Sequence, residues 1–512
     1  MISRFGALRS ALRKHIFAFA AFLIPLAVRS IPEALSWPYP IGFDTVIYIQ
    51  TLTGGWSAVS LGAVNFLHGS NLFYLLSSLF YGLTNNAVVV MKVLGPVLLG
   101  VLAFLMYLYA RRGLGWGTWK SLLVAVLVGA YFVSLRNSWD MYRQTLGLIF
   151  LMAALISLKS MRSPRRYVAA SGFMVLTVLS HELAAVILFF FLLLEGTRLL
   201  VKKSRRDFAF LGLSAVLPVA LFLFQRTSLS TGVMGVPTPS VASEPSVSLA
   251  LYMGGSLVYC YVLILPFVLV GLVRLKDLFV RSWGLLCFGI VLLLMLNPNL
   301  PFYLWFRWVV LLVYPLLFFA AQGLESLWRF SRRFKGKVKR LIPKIVVVAY
   351  VFSLFTLSGY YMTTSPEHAF PYFYQYNAYL TVIPSSMLQN SISIQDTSSL
   401  VSCFEWLNQN TSSNSVIVAH DAFYYLASVY VPDRHILFIG TDTSLWSDTP
   451  NGLVTADKMV AAAKDAVANG HEVYSFWWVD GKGWYSIPSL PPDFKEVFRS
   501  GSMAVYVYNS MP

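Results

Sequence analysis

The sequence is poor in charge and poorer still in acid. Charged residues make up 12% of 512, with 22 Asp and Glu against 39 Lys and Arg. A soluble globule needs a polar surface that this composition cannot supply, so most of the chain must have lipid as its solvent. Cysteine is nearly absent. Cys260, Cys287 and Cys403 lie far apart, two of them in apolar runs, which excludes a disulfide framework and a CxxC metal knuckle. No internal repeat of the solenoid or inverted-repeat transporter kind is visible. What the chain does have is hydrophobic residues, at 57%, and aromatics, at 16%.

A net charge of +17 can signal nucleic acid, but the charge is split along the chain. Residues 1–361 hold 33 Lys and Arg against 9 Asp and Glu, a net +24, while residues 362–512 hold 6 against 13, a net −7. The basic excess belongs to the apolar part and sits between its apolar runs. The expected partner is therefore the bilayer, and no nucleic acid.

Apolar runs long enough to span, or nearly so, occur at 16–30, 86–110, 118–135, 144–160, 167–181, 183–200, 208–225, 249–273, 281–297, 302–322 and 342–361. They predict about eleven helical spans. Basic clusters fall on every second connection: around Arg13, Arg111, Arg165, Arg205, Arg274, and from Arg329 to Lys344. Placing them inside by the positive-inside rule puts 27 of the 33 basic residues in the cytoplasm. Arg29, Lys92, Arg136, Arg143, Arg226 and Arg307 are left outside or within a span. The expected location is a cell membrane, multi-pass, with the N-terminus cytoplasmic and the C-terminal domain extracytoplasmic. The first run can also be read as a signal peptide, but Leu26-Ala27-Val28-Arg29-Ser30 is a poor cleavage site, and we keep it as a span.

The expected fold class is mostly α: a polytopic transmembrane domain over 1–361, then a connector over 362–397 and a small extracytoplasmic α/β domain over 398–512. The first outer loop, 30–85, reads as interfacial helices broken at Gly69-Ser70, because counting it as a span would invert every later basic cluster. A second outer loop, 227–248, is rich in Ser, Thr, Pro and Gly. In the C-terminal domain SVIVAH, HILFIG, EVYSFWW and MAVYVY read as strands, with a helix ending at Leu407 before them and another over 456–469.

Under this topology the rare ionisable groups left outside gather at the outer ends of the spans. Asp44 lies in SWPYPIGFDTVIYIQ with Tyr39 and Tyr48 nearby and Pro38, Pro40 and Gly42 shaping the backbone. Asp140 and Arg143 lie in RNSWDMYRQTLGL, His181 and Glu182 in LSHELAAV, and Arg307 in NPNLPFYLWFRWVVLLVYP. Each has a plain structural reading. Asp140 and Arg143 can form a local ion pair, His181 can bond a backbone carbonyl, and Arg307 can snorkel to the interface. Together they suit a phosphate-bearing lipid. Arginines would bind the phosphate, and a carboxylate would act as general base or hold a divalent cation such as Mg or Mn.

At these residues the chain resembles the GT-C class of membrane glycosyltransferases. The likeness rests on the Asp of GFDTVIYI, the interfacial helices after it, the outer segment WDMYRQTLGL, and the late span FRWVVLLVYPLLFFAAQGL, followed by an α/β domain. It implies transfer of a sugar from a polyprenyl phosphate or pyrophosphate carrier to a glycan, lipid or protein acceptor. In that scheme Asp44 is the catalytic carboxylate and Arg307 a ligand of the carrier phosphate, while Asp140, Arg143, His181 and Glu182 complete the site. The sequence departs from an oligosaccharyltransferase in lacking a DxD motif after the first loop. Its FWWVDGKG at 476–483 is spaced differently from their WWDYG motif and reads as a strand end. The rival reading is a transporter or flippase for lipid-linked glycans, against which only Lys92 is a clear mid-span charge.

The topology has a direct check. A cysteine placed at Ser240 is expected to react with an impermeant thiol reagent added outside the cell, and one at Ser163 is not. Labelling at Ser163 in intact cells would reverse the orientation.

Overall fold

A backbone in hydrocarbon can satisfy its N–H and C=O groups only within its own helices, and the apolar runs take that form. The computed structural model describes residues 2–55, 58–160, 164–227, 246–297, 305–363, 392, 394–420, 423–439, 456–479 and 490–509. Most of the segment expected as the second outer loop, most of the connector, and the DGKG end of the 476–483 segment lie outside the described residues.

The helices begin with α1 (Ile2–Leu35), then α2 (Thr45–Thr53), α3 (Ala58–His68), α4 (Leu72–Thr84) and α5 (Ala87–Leu108). There follow α6 (Thr118–Ala130), α7 (Phe132–Asp140), α8 (Tyr142–Ser160), α9 (Arg165–Ser180), α10 (Glu182–Val201) and α11 (Arg205–Thr227). From residue 246 on come α12 (Ser246–Tyr261), α13 (Leu265–Arg274), α14 (Leu278–Leu296), α15 (Trp305–Leu311), α16 (Val313–Phe330) and α17 (Lys337–Thr363).

Among the described residues, seven helices are long and apolar enough to cross a membrane, or nine if two bent pairs each count as one span. The bent pairs are α6–α7, at 64°, and α12–α13, at 84°. The difference from about eleven spans lies in α8 and α9. The first carries Arg143 near one end and Lys159 near the other, and the second has only 16 residues. α1 also continues beyond the expected end of the first span at residue 30. Arg29 and Glu33 are both buried there, and buried backbone stays hydrogen-bonded by remaining helical. The segment expected as the first outer loop forms the short helices α2 to α4, with the break at Gly69-Ser70 between α3 and α4.

The chain forms two compact units: residues 1–31 with 51–359, and residues 32–50 with 360–512. In the first, the tightest packing is between α13 and α16, where two glycines let the backbones meet. A Cβ on Gly271 would lie 2.0 Å from the Phe319 carbonyl oxygen, and one on Gly323 would lie 2.1 Å from that of Phe267. Helices in lipid gain little from hydrophobic burial and associate through such close contacts between small residues.

In the second unit, α18 (Ile394–Asn410) turns Leu400, Cys403, Phe404 and Leu407 onto a five-stranded sheet, the spacing expected of one buried helical face. The sheet consists of β1 (Val416–His420), β2 (His435–Ile439), β3 (Val473–Trp478), β4 (Phe494–Ser500) and β5 (Met503–Tyr508), in the order β2-β1-β3-β5-β4. β2, β1 and β3 run parallel, with α19 (Tyr424–Tyr430) and α20 (Ala456–Ala468) as crossovers, and β5 and β4 add antiparallel. β1 and β3 are buried along their whole length, as central strands of such a sheet should be. β4 was not expected. Only Phe494 of that edge strand is buried, and its Lys495, Glu496 and Arg499 hide the strand pattern.

Gly323→Leu is expected to lower the melting temperature in detergent sharply. Overpacking costs about 1–3 kcal/mol where side chains can shift, and here the obstacle is backbone. A variant that melts like the parent would mean that the two helices do not approach this closely.

Candidate functional site

The polar groups of the membrane unit collect where helices break. α7 ends at Asp140 and α8 starts at Tyr142, with Met141 at φ −86° and ψ 54° between them. The break leaves the last carbonyls of α7 without helical donors. Arg29, fully buried on α1, answers them: Nε donates to the Ser138 carbonyl at 3.4 Å and Nη2 to that of Trp139 at 3.1 Å. Its guanidinium carbon stands 4.7 Å from the centre of the Trp139 ring.

Asp140 does not form the expected local pair with Arg143. Its carboxylate accepts from Arg136 at 2.6 Å, both side chains being buried. The reason is local: Arg136 is four residues back on the same helix, whereas the non-helical Met141 turns Arg143 away. One residue on from Arg136, the Asn137 amide donates to the Tyr314 hydroxyl on α16 at 2.6 Å and accepts a bond from Gln144.

The second break is between α9 and α10. His181 is extended there (φ −163°, ψ 133°) and caps α10, its Nδ1 accepting from the Leu183 N–H at 3.2 Å. This bond differs from the carbonyl contact expected from the sequence. It requires a neutral ring with the proton on Nε2. His181 lies in the turn outside both helices, and its pKa is held well below the ordinary histidine value. Burial is the main cause, followed by the positive charges of Arg307 and Arg143. Those two arginines come from α15 and α8, and Phe306 packs on Met141 where the elements meet. The Arg143 guanidinium lies 5.6 Å from the Tyr74 ring centre, and its Nε is buried without a hydrogen bond, as is Oε1 of Gln144. Next to His181, Glu182 pairs with Arg226 at the end of α11.

Arg143, His181, Glu182 and Arg307 are thus brought together at one end of the membrane unit, with Asp140 in a buried ion pair at the same end. Lys159 and Arg198, near the far ends of α8 and α10, belong with the basic connections at the opposite end. Arg29, Asn137, Gln144, Tyr314 and Arg226 were not among the expected site residues. The charges of Arg29 and Arg226, stranded on or beside apolar runs, were the available signal; Asn137, Gln144 and Tyr314 gave none beyond polarity.

Asp44, Tyr39 and Tyr48 lie in the second unit. Gly42, at φ 91°, makes the turn, and Asp44 follows it half-buried just before α2, its carbonyl accepting from the Ile47 N–H at 3.1 Å. Tyr48 is buried in α2. Tyr39 packs edge-on against Tyr430 with ring centres 6.5 Å apart, and burial raises the Tyr430 hydroxyl to about 12.

The donor set of the described residues does not fit a dedicated divalent-metal site. Among the described residues no three His, Cys, Asp or Glu side chains gather, and Asp140 and Glu182 are each committed to an arginine.

The neutral His181 makes stability depend on pH. Its folded pKa lies below the unfolded value of about 6.5, so the unfolded chain takes up the proton first as pH falls. Its contribution is present above that value and is lost below it. Between pH 7 and 5 the parent is expected to lose more thermal stability than His181→Gln, and equal losses would place a charged histidine at this turn.

No protein-family model matches the sequence, and neither does any curated protein. Solved structures do match. ArnT from Cupriavidus metallidurans, in its apo state, superposes with a TM-score of 0.52 at 13% identity over 98% of both chains. The arabinofuranosyltransferase AftD from Mycobacteria gives a TM-score of 0.44 at 13% identity, covering 96% of this chain and 40% of that one. The likeness to ArnT is one of fold: this multi-pass membrane protein has a GT-C-like fold.

Proposed function

We propose that this protein is a membrane glycosyltransferase that moves a sugar from a polyprenyl phosphate or pyrophosphate carrier to an acceptor on the extracytoplasmic face. One observation carries the reading: Arg143 and Arg307 converge on a neutral histidine at the end of the membrane unit away from its basic connections. Two guanidiniums in a partly buried turn are a strong device for a phosphate, since each offers a planar fork of donors that a lysine lacks. A neutral His181 adds one N–H donor without a third positive charge.

In the proposed step, the Asp44 carboxylate takes the proton of an acceptor hydroxyl as its oxygen attacks the anomeric carbon. The bond from that carbon to the carrier phosphate breaks, and its electron pair leaves with the phosphate. Arg143 and Arg307 stabilise the charge that develops there. Attack opposite the leaving phosphate inverts the anomeric carbon. Arg136 and Arg226 hold Asp140 and Glu182 in place, so these carboxylates serve to position the arginine-bearing turns.

Asp44→Asn is expected to reduce transfer from a lipid-linked donor on the order of a hundred- to ten-thousand-fold with an unchanged melting temperature. Asp433→Asn, on the exposed surface of the same unit, should be nearly silent. Arg307→Ala should weaken binding of polyprenyl phosphate, and Arg307→Lys should restore only part of it. If Asp44→Asn keeps activity within tenfold of the parent, Asp44 is not the base. If the parent moves the lipid-linked glycan across the membrane without cleaving the sugar–phosphate bond, the transporter reading replaces this one.

A further inference from the structure

The basic end of the membrane unit holds a feature that the proposed chemistry does not use. Between α6, α16 and α17 lies a groove of about 170 Å³ whose walls are almost wholly apolar, among them Leu123, Leu324, Val348 and Val351. It opens outward: Val348 is 59% and Trp119 54% exposed. Trp119 and Trp328 both line it, their ring centres 6.3 Å apart. Tryptophans in such positions mark the level of lipid headgroups.

The charge around the groove is of one sign. Its single acid, Glu325, is held by Lys120 at 3.7 Å and by Arg329, so it does not present a free negative charge. Lys344 places its ammonium 5.6 Å from the Trp328 ring centre. Residues 326–344 carry eight Lys and Arg and no acid, with Lys339 and Arg340 exposed on the opening turns of α17. An apolar slot between spanning helices, capped by aromatics and cations, matches an acyl chain ending in an anionic headgroup.

We propose that this groove binds an anionic phospholipid, with one acyl chain against Val126, Val348 and Val351 and the phosphate headgroup at Lys344 and Lys339. By the positive-inside rule the lipid belongs to the inner leaflet. The proposal stands independently of the transferase reading, because none of these residues takes part in that site.

Trp119 and Trp328 supply the readout, since bromine on an acyl chain quenches a tryptophan that it touches. The full-length protein would be titrated in mixed micelles with brominated phosphatidylglycerol or brominated phosphatidylcholine. Subtracting the Trp119→Phe/Trp328→Phe variant isolates the groove signal. Half-quenching is expected at a mole fraction on the order of tenfold lower for the anionic lipid, because several cations near the surface add their attraction. Lys339→Gln/Lys344→Gln should cut that preference below about twofold without changing the melting temperature. Val348→Phe, which fills the slot and leaves the charge and the tryptophan count alone, should abolish quenching of Trp119 and Trp328 by either lipid. Equal half-quenching by both lipids in the parent, or an unchanged preference in the lysine variant, would overturn the proposal.

Discussion

The polar groups at the helix breaks of the membrane unit depend on one constraint: a backbone group released from a helix inside the bundle must find another partner. Unsatisfied amides in a low-dielectric interior cost several kcal/mol, and this structure meets three of its breaks with side chains. Arg29 takes two carbonyls at the end of α7, and His181 takes an amide at the start of α10. Near the bend between α6 and α7, the Ser358 hydroxyl donates to the Ala130 carbonyl, and Tyr131 in the bend donates to the carbonyl of Cys260. The breaks are where the helix carries polar residues, so capping and site chemistry draw on the same positions.

That coupling explains why the candidate site is rigid without being apolar. Arg29 is 0% exposed and is tied at once to two carbonyls and to the face of Trp139, which fixes the turn from which Arg143 departs. Asn137 links the same turn to α16 through Tyr314, and Gln144 links it to α8. In the proposed function, a turn fixed in this way lowers the ordering cost of presenting Arg143 to a phosphate, since ligand binding gains most from groups already in place. The buried pair of Arg136 and Asp140 adds fixed orientation more than stability, because desolvation offsets most of its attraction.

The two ends of the membrane unit have different characters for an electrostatic reason. At one end few charges remain, and they are buried, paired or brought toward a neutral histidine. At the other, lysines and arginines are numerous and mostly exposed, as on the opening turns of α17. Exposed cations suit a diffuse negative surface, whereas two converging guanidiniums with a buried Nε suit one discrete anion.

The sequence by itself determined the elements. Runs of apolar residues fixed where helices lie, alternation and β-branched runs fixed four of the five strands, and the basic connections fixed a pattern of ends. These are local properties, set by what each short segment must do in lipid or in a sheet. The sequence also showed that Arg143, His181, Glu182 and Arg307 share an end, because each sits at a run boundary. It did not reveal β4, whose charged edge face masks its alternation, or that Arg136 rather than Arg143 takes Asp140. It gave no sign that His181 caps α10, nor that Arg29, more than a hundred residues away in sequence from Trp139, holds the turn. Only the tertiary structure decided those, because burial, the protonation of one imidazole and the choice among several nearby cations depend on what other helices bring to the same point in space.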